Sequence, residues 1–241
     1  NLQGETSMGF EVFALIAAIF LAIAGLVAYY NYKREQALIA FAKTQGWSYV
    51  DEAPEFAERW AGDPFGTGDH RRTENAMLGT YQGCDLAALE YSYQTHSSDA
   101  KGNRTTSTHR YSVVALLVRT GLPGLGITPE NGVSRLFGRL FNTDIQLESE
   151  EFNRAFTVTS EDRKFASAAL HPRTMEALLA YRDVDWDIRS GDFVSIDSGT
   201  LDPTSISHRC DAMLTVLRGL PDFVWSDHGG RPAALPPEVQ A

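Results

Sequence analysis

Six histidines (His70, His96, His109, His171, His208 and His228), two cysteines (Cys84 and Cys210) and the tetrapeptide Asp69-His70-Arg71-Arg72 are the residues whose types could do chemistry. Imidazole and thiolate hold a metal when three or four of them converge at short spacings. Here there is no H-E-x-x-H, no C-x-x-C, and no carboxylate or thiol joined to a histidine at ligand spacing. His96 and His109 flank a polar stretch and could approach across a hairpin tip, but two imidazoles make a poor metal site. His171 precedes Pro172 and is expected to cap a helix. The stretch Gly62–Gly68 (GDPFGTG) looks like a phosphate cradle only until its next residues are read. Asp69 and His70 stand where a P-loop needs Lys and Ser or Thr, so it is a turn. The run GLPGLG at 121–126 is likewise a connector, and no G-x-S-x-G elbow offers a nucleophile. No catalytic residue, metal ligand or cofactor is assigned. What remains is the charge cluster: His70, Arg71 and Arg72 form a candidate interaction patch for lipid headgroups or an acidic partner, against the plain reading of a solvated strand end.

The element that positions everything else is apolar. Val12 to Tyr30 is an uncharged run of 19 residues. At ~1.5 Å per residue it is roughly 28 Å long as a helix, close to the hydrocarbon thickness of a bilayer. A lone segment in lipid must satisfy its own backbone, so a helix is expected. Glu5 and Glu11 precede the run, while Lys33 and Arg34 follow it. Basic residues beside a span stay cytoplasmic, which puts the N-terminus outside and the rest of the chain inside. A cleaved signal peptide would carry its basic residues on the other side and small residues after the run. Here Tyr29, Tyr30 and Tyr32 follow instead, as in an interfacial aromatic belt.

The expected organisation is therefore an extracytoplasmic N-terminus at 1–9, a transmembrane helix at 10–32, a cytoplasmic domain at 33–225 and a disordered tail at 226–241. Asn1–Ser7, ahead of Met8, reads as a cloning remnant or an over-extended start and is set aside. Within the span Ala14, Ala18, Ala22 and Gly25 line one face and could seat a second helix in a homodimer, although the abundance of Ala in spans explains the stripe more simply.

The chain carries 21 Lys and Arg against 31 Asp and Glu, a formal charge of −10. That balance argues against general nucleic-acid binding and against broad contact with anionic lipid. Cys84 and Cys210 are expected to be buried, reduced thiols, in keeping with a cytoplasmic domain.

Along the domain, Arg34–Gln45 continues the helix until Gly46 stops it. Trp47–Val50 reads as a strand and Ala53–Trp60 as a short helix. Leu89, Tyr91, Tyr93 and Thr95 alternate with polar residues as in a half-buried strand, and Tyr111–Val118 is apolar on both faces. With the polar stretch His96–Thr108 between them, they predict a hairpin with a long mobile tip. Val133, Leu136, Phe137, Leu140 and Phe141 mark an amphipathic helix. Arg135 and Arg139 also give it the look of an interfacial helix, although a core face explains it better. Phe156–Ser160 is a strand, and Ser160 is expected to cap the following helix. Pro172 starts the next, Trp186–Arg189 and Phe193–Asp197 flank a Ser190-Gly191 turn, and Asp202-Pro203 opens a helix through Leu217. Hairpins and helices mixed in this way indicate an α+β class with a mostly antiparallel sheet.

The segment Glu148–Ala180 carries a recognisable pattern: Glu151 and Phe152, the strand Phe156-Thr157-Val158, the acidic pair Glu161-Asp162, then Pro172 and Met175. Together with the Trp186–Asp197 hairpin it resembles a family of bacterial membrane-associated proteins catalogued as a domain of unknown function. The resemblance implies an anchored domain on the cytoplasmic side and supplies no catalytic residue. Physically the same residues read as core, with Asn153 and Arg154 expected to bridge or cap. The function read from all this is a single-pass, membrane-anchored interaction domain that binds a protein or small ligand at the inner membrane face. The alternative is a membrane-tethered, hydrolase-like enzyme whose site is assembled from distant residues.

Overall fold

A computed structural model describes residues 2–98, 102–130 and 145–232, with side chains from Phe13 onward. The chain divides into two units, residues 1–45 and 46–241. The first is a single helix, α1 (Leu2–Gln45), whose part Phe13–Gln45 is long and apolar enough to cross a membrane. Gly46 follows it with φ +71°, the left-handed backbone that ends a helix where the sequence places its stop.

The second unit is α+β. Among the described residues it is built on eight strands: β1 (Ser48–Glu52), β2 (Asp69–Tyr81), β3 (Cys84–Ser98), β4 (Arg104–Leu116), β5 (Leu125–Pro129), β6 (Phe156–Ser160), β7 (Trp186–Arg189) and β8 (Asp192–Ser198). Their order is β1-β2-β3-β4-β8-β7-β5-β6, and every described pairing is antiparallel. Among the described residues five short or medium helices accompany them: α2 (Glu150–Ala155), α3 (Arg163–Ala169), α4 (Pro172–Leu178), α5 (Ile206–Gly219) and α6 (Asp222–Asp227).

Alternation along the strands gives the sheet two buried faces. One presents Ala87, Leu89, Tyr91 and Tyr93 of β3, Tyr111, Val113 and Ala115 of β4, and Val194 and Ile196 of β8. It is covered by a strap, residues 53–68, which sets Phe56, Trp60 and Phe65 onto those side chains. The opposite face is covered by α5, whose Ile206, Cys210, Met213, Leu214 and Leu217 are buried as the apolar stripe predicts. Helices α3 and α4 pack on α5 in turn.

Several expectations need correction. Most of the polar stretch His96–Thr108 is strand rather than tip: β3 runs to Ser98, β4 starts at Arg104, and Ser98↔Arg104, Ser97↔Thr105 and His96↔Thr106 are paired, while residues 99–101 lie outside the described residues. Thr-rich segments pair well even without an apolar face to reveal them. Asp69–Arg72 is the mostly exposed end of a strand, as the plain reading has it, but that strand continues unannounced to Tyr81. Two β-bulges, with His70 (φ 52°) and Asn75 (φ 53°) in the left-handed region, break the alternation that would have marked it. The 121–126 connector contains the start of β5. Ala53–Trp60 is a 3-10 turn (Pro54–Phe56) running into turns rather than an α-helix.

The cap of α3 is Asp162, which accepts from the Phe165 amide at 2.9 Å. Ser160 instead donates to the Gly124 carbonyl. The start of the tail expected to be disordered is ordered: α6 includes Ser226 and Asp227, and Gly230 N–H returns to the Trp225 carbonyl at 2.7 Å, while residues 233–241 lie outside the described residues. The expected helix at 133–141 lies outside the described residues.

Cys84 and Cys210 are buried and free. Burial pushes both thiols up, that of Cys210 to about 12. An acid kept neutral by the fold stabilises fully below its unfolded pKa, near 8.5 for a thiol, and that contribution is lost as pH rises towards the folded value. The unfolding free energy is therefore expected to fall by about 1 kcal/mol per pH unit between pH 9 and 10 on account of Cys210. Urea titration across that range checks this, and Cys210→Ala should flatten the slope.

Candidate interaction site

Buried charge in the domain is spent internally, on both faces of the sheet. On the strap side Arg189 makes a bidentate pair with Asp187, at 2.5 and 2.6 Å, and its third nitrogen, Nη1, donates to the carbonyls of Ala61, Gly62 and Asp63. Burial pushes the Asp187 carboxyl up while the Arg189 guanidinium pulls it back. Asp192, wholly buried, accepts from Arg59 Nε at 2.7 Å, Trp60 Nε1 at 3.1 Å and the Arg119 amide at 3.2 Å. The strap ends at Gly68 (φ +64°), where a Cβ would lie 2.4 Å from the Gln94 carbonyl and 2.5 Å from Tyr93. Only glycine lets the chain come down so closely there.

On the helix side Arg209 reaches from α5 to two neighbouring strands. It donates to Ser195 Oγ and the Ser195 carbonyl on β8, and to Ser112 Oγ and the Ser112 carbonyl on β4, with Asp197 at 3.5 Å. Burial lowers its pKa, against the pull of Asp197. Beside it Glu90 accepts from the Leu201 amide at 2.8 Å and from Asn75 Nδ2 at 3.0 Å, and Tyr49 holds the other end of Asn75. Each of these groups fastens a loop, strand or helix to the sheet. Sequence reading missed them because, Asp187 beside Arg189 apart, their partners lie far away in the chain. A signal did exist for Arg209, the one charge within the apolar stripe of α5.

The outward-facing polar residues gather elsewhere. Pairing with β2 stops at Asp69↔Gln94 and pairing with β8 stops at Tyr111↔Ser198, yet β3 and β4 continue together to Ser98 and Arg104. Residues 95–98 and 104–110 thus form a two-stranded arm beyond the sheet. On its helix-side face the rows read Ser92–Arg110, Gln94–Thr108, His96–Thr106 and Ser98–Arg104. His96 Nδ1 and Thr106 Oγ1 lie 3.0 Å apart. On the other face His109 stacks on Tyr93, with ring centroids 4.8 Å apart, and bonds to Thr95. Tyr93 in turn stacks on Tyr111, whose hydroxyl is pushed upward by burial and by the Tyr93 hydroxyl 3.3 Å away.

The structure splits the expected patch. Arg71 turns to the strap and bonds Glu58 at 3.0 Å. Arg72 pairs with Ser92 and so stands in one cross-strand row with Arg110, with Glu74 3.8 Å away. His70 is exposed in the bulge between the paired residues Asp69 and Arg72. His96 and His109, which could have approached across the tip, lie on opposite faces of the arm. His171 stands at the N-cap of α4, but its ring faces Thr174 and the Gly219 carbonyl rather than a cap amide. Among the described residues no group of three His, Cys, Asp or Glu could hold a metal. Asn153 does bridge, closing a ring of two hydrogen bonds on Leu147.

No family model matches the chain, and no curated protein matches it in sequence. Among solved structures, the crystal structure of the mycobacterial trehalose monomycolate transport factor A, TtfA, is similar. The TM-score is 0.52 at 16% identity, and the match covers 78% of this chain and 96% of that one. At that identity the likeness is one of fold, and it agrees with the α+β class.

Removing one partner of a buried pair strands the other charge, at a cost of roughly 3–5 kcal/mol, whereas an apolar replacement of both costs far less. Arg189→Met is expected to destabilise the domain by about that amount and to speed amide exchange in residues 59–68. The double change Arg189→Met with Asp187→Leu should recover only the part of the loss due to the stranded carboxylate, because the carbonyls of Ala61, Gly62 and Asp63 still lack their donor, as read by urea unfolding of the full chain in detergent.

Proposed function

We propose that this chain is a single-pass membrane protein whose domain lies on the cytoplasmic side and acts by binding a partner protein, without chemistry of its own. The arm carries this reading. Arg189, Asp192 and Arg209 are engaged in holding strap, strands and helix, while the arm directs its arginines and hydroxyls outward. Helix α1, long and apolar enough to span a bilayer, supports the anchoring, and Lys33 and Arg34 after the apolar run support the orientation. The fold shared with a protein described as a transport factor suggests the kind of task, an accessory role in moving a substrate at the membrane. Kinship with the anchored family that residues 148–197 resemble belongs to the same reading.

The test is capture from native membranes after chemical cross-linking, with the full chain and with a shortened one in which Asn-Gly replaces residues 96–106. That turn closes the hairpin at the Thr95–Ser107 pair and leaves the sheet intact. A protein enriched with the full chain and lost from the shortened one is expected. Equal enrichment with both, or none with either, would overturn the proposal.

A further inference from the structure

The arm has an open edge. The Gly199 amide donates to the Arg110 carbonyl at 2.8 Å, and after this contact the chain turns away from β4 at Gly199, where φ is +98°. Main-chain groups of successive residues in an antiparallel strand point to alternate sides. Since Arg110 points towards β8, Thr108, Thr106 and Arg104 point the same way, and beyond Ser198 no described strand meets them. At the far edge of the sheet, by contrast, β6 is partly covered by the Ile145 amide, which donates to the Val158 carbonyl at 2.9 Å. Natural sheets protect an edge with proline, a bulge or a covering segment, and Arg104–Arg110 contains no proline and pairs with β3 without a register shift.

The side chains beside this edge say what would fit. Arg104 and Arg110 are exposed and stand on one face of β4 with Thr106 and Thr108, and Arg72 lies in the row of Arg110. Three arginines thus gather on a chain of net charge −10, with Asp69 in the row of Thr108 and Glu74 3.8 Å from Arg72 as the acids beside them. An extended peptide laid along the edge would put every second side chain on that face, within reach of the arginines. We propose that the outer edge of β4 over Arg104–Thr108 takes up an extended acidic segment of the partner protein as an added antiparallel strand. This deepens the partner-binding reading and rests on it. A ladder of backbone donors and acceptors selects a peptide, and the arginines select Glu or Asp at alternate positions.

The experiment uses the full chain in nanodiscs of phosphatidylcholine and two labelled seven-residue probes, one alternating Glu and Thr, the other Lys and Thr. Fluorescence anisotropy is expected to show binding of the Glu probe only. Arg104→Glu with Arg110→Glu should weaken it at least tenfold. Thr106→Pro should weaken it as much, because it removes an outward N–H and leaves the pairing with β3 intact, verified by amide exchange at Thr105 and Ser107. Binding of both probes, or loss with charge reversal but not with Thr106→Pro, overturns strand addition. So does arm protection by phosphatidylglycerol in the disc without peptide, or by a second copy of the chain. If Thr106→Pro still captures the cross-linked partner, this proposal fails while the broader function stands.

Discussion

A guanidinium holds each face of the sheet, and Arg189 is the one on which most depends. A strap without regular secondary structure can lie across a sheet only if its carbonyls find donors away from water. Arg189 gives one nitrogen to three successive carbonyls and the other two to Asp187, while Asp192 holds Arg59 and Trp60 at the near end. With the strap fixed, Phe56, Trp60 and Phe65 cover Tyr91 and its neighbours, and Gly68 brings the chain down over Tyr93 into β2. Arg209 performs the matching task on the other side, tying α5 to β4 and β8 through their serines and carbonyls.

The Arg209 clamp also stands near the boundary where the buried sheet ends. On the helix side the last row beneath the clamp is Glu90–Ser112, and beyond it every row is polar. Covered sheet thereby becomes uncovered arm without a break in the β3–β4 ladder. An exposed, two-sided polar ribbon adds little to stability, since it buries little apolar surface. Its persistence on a domain attached to a membrane-length helix is what directs the functional reading towards a partner.

Much of the architecture was legible in the residues. The apolar run, the Gly46 stop, Pro172, the Ser190-Gly191 hairpin and the stripe of α5 each report a local rule acting alone. The rest depended on pairings that no local pattern announces. Bulges at His70 and Asn75 destroy the period of β2, and β5 starts inside a Gly/Pro connector. The arm alternates between one polar residue and another, so it carries no amphipathic signal at all. The arginine patch was half legible: adjacent residues in a strand point to opposite faces, which sends Arg71 to Glu58 and Arg72 to the row of Arg110.

The most direct test of the account is a photoreactive amino acid placed at Thr106 in the full chain, irradiated in native membranes, with Lys164 on α3 as the reference position. The account predicts a discrete protein adduct from position 106 and none from 164. Adducts to lipid alone, or the same protein adducts from both positions, would contradict it.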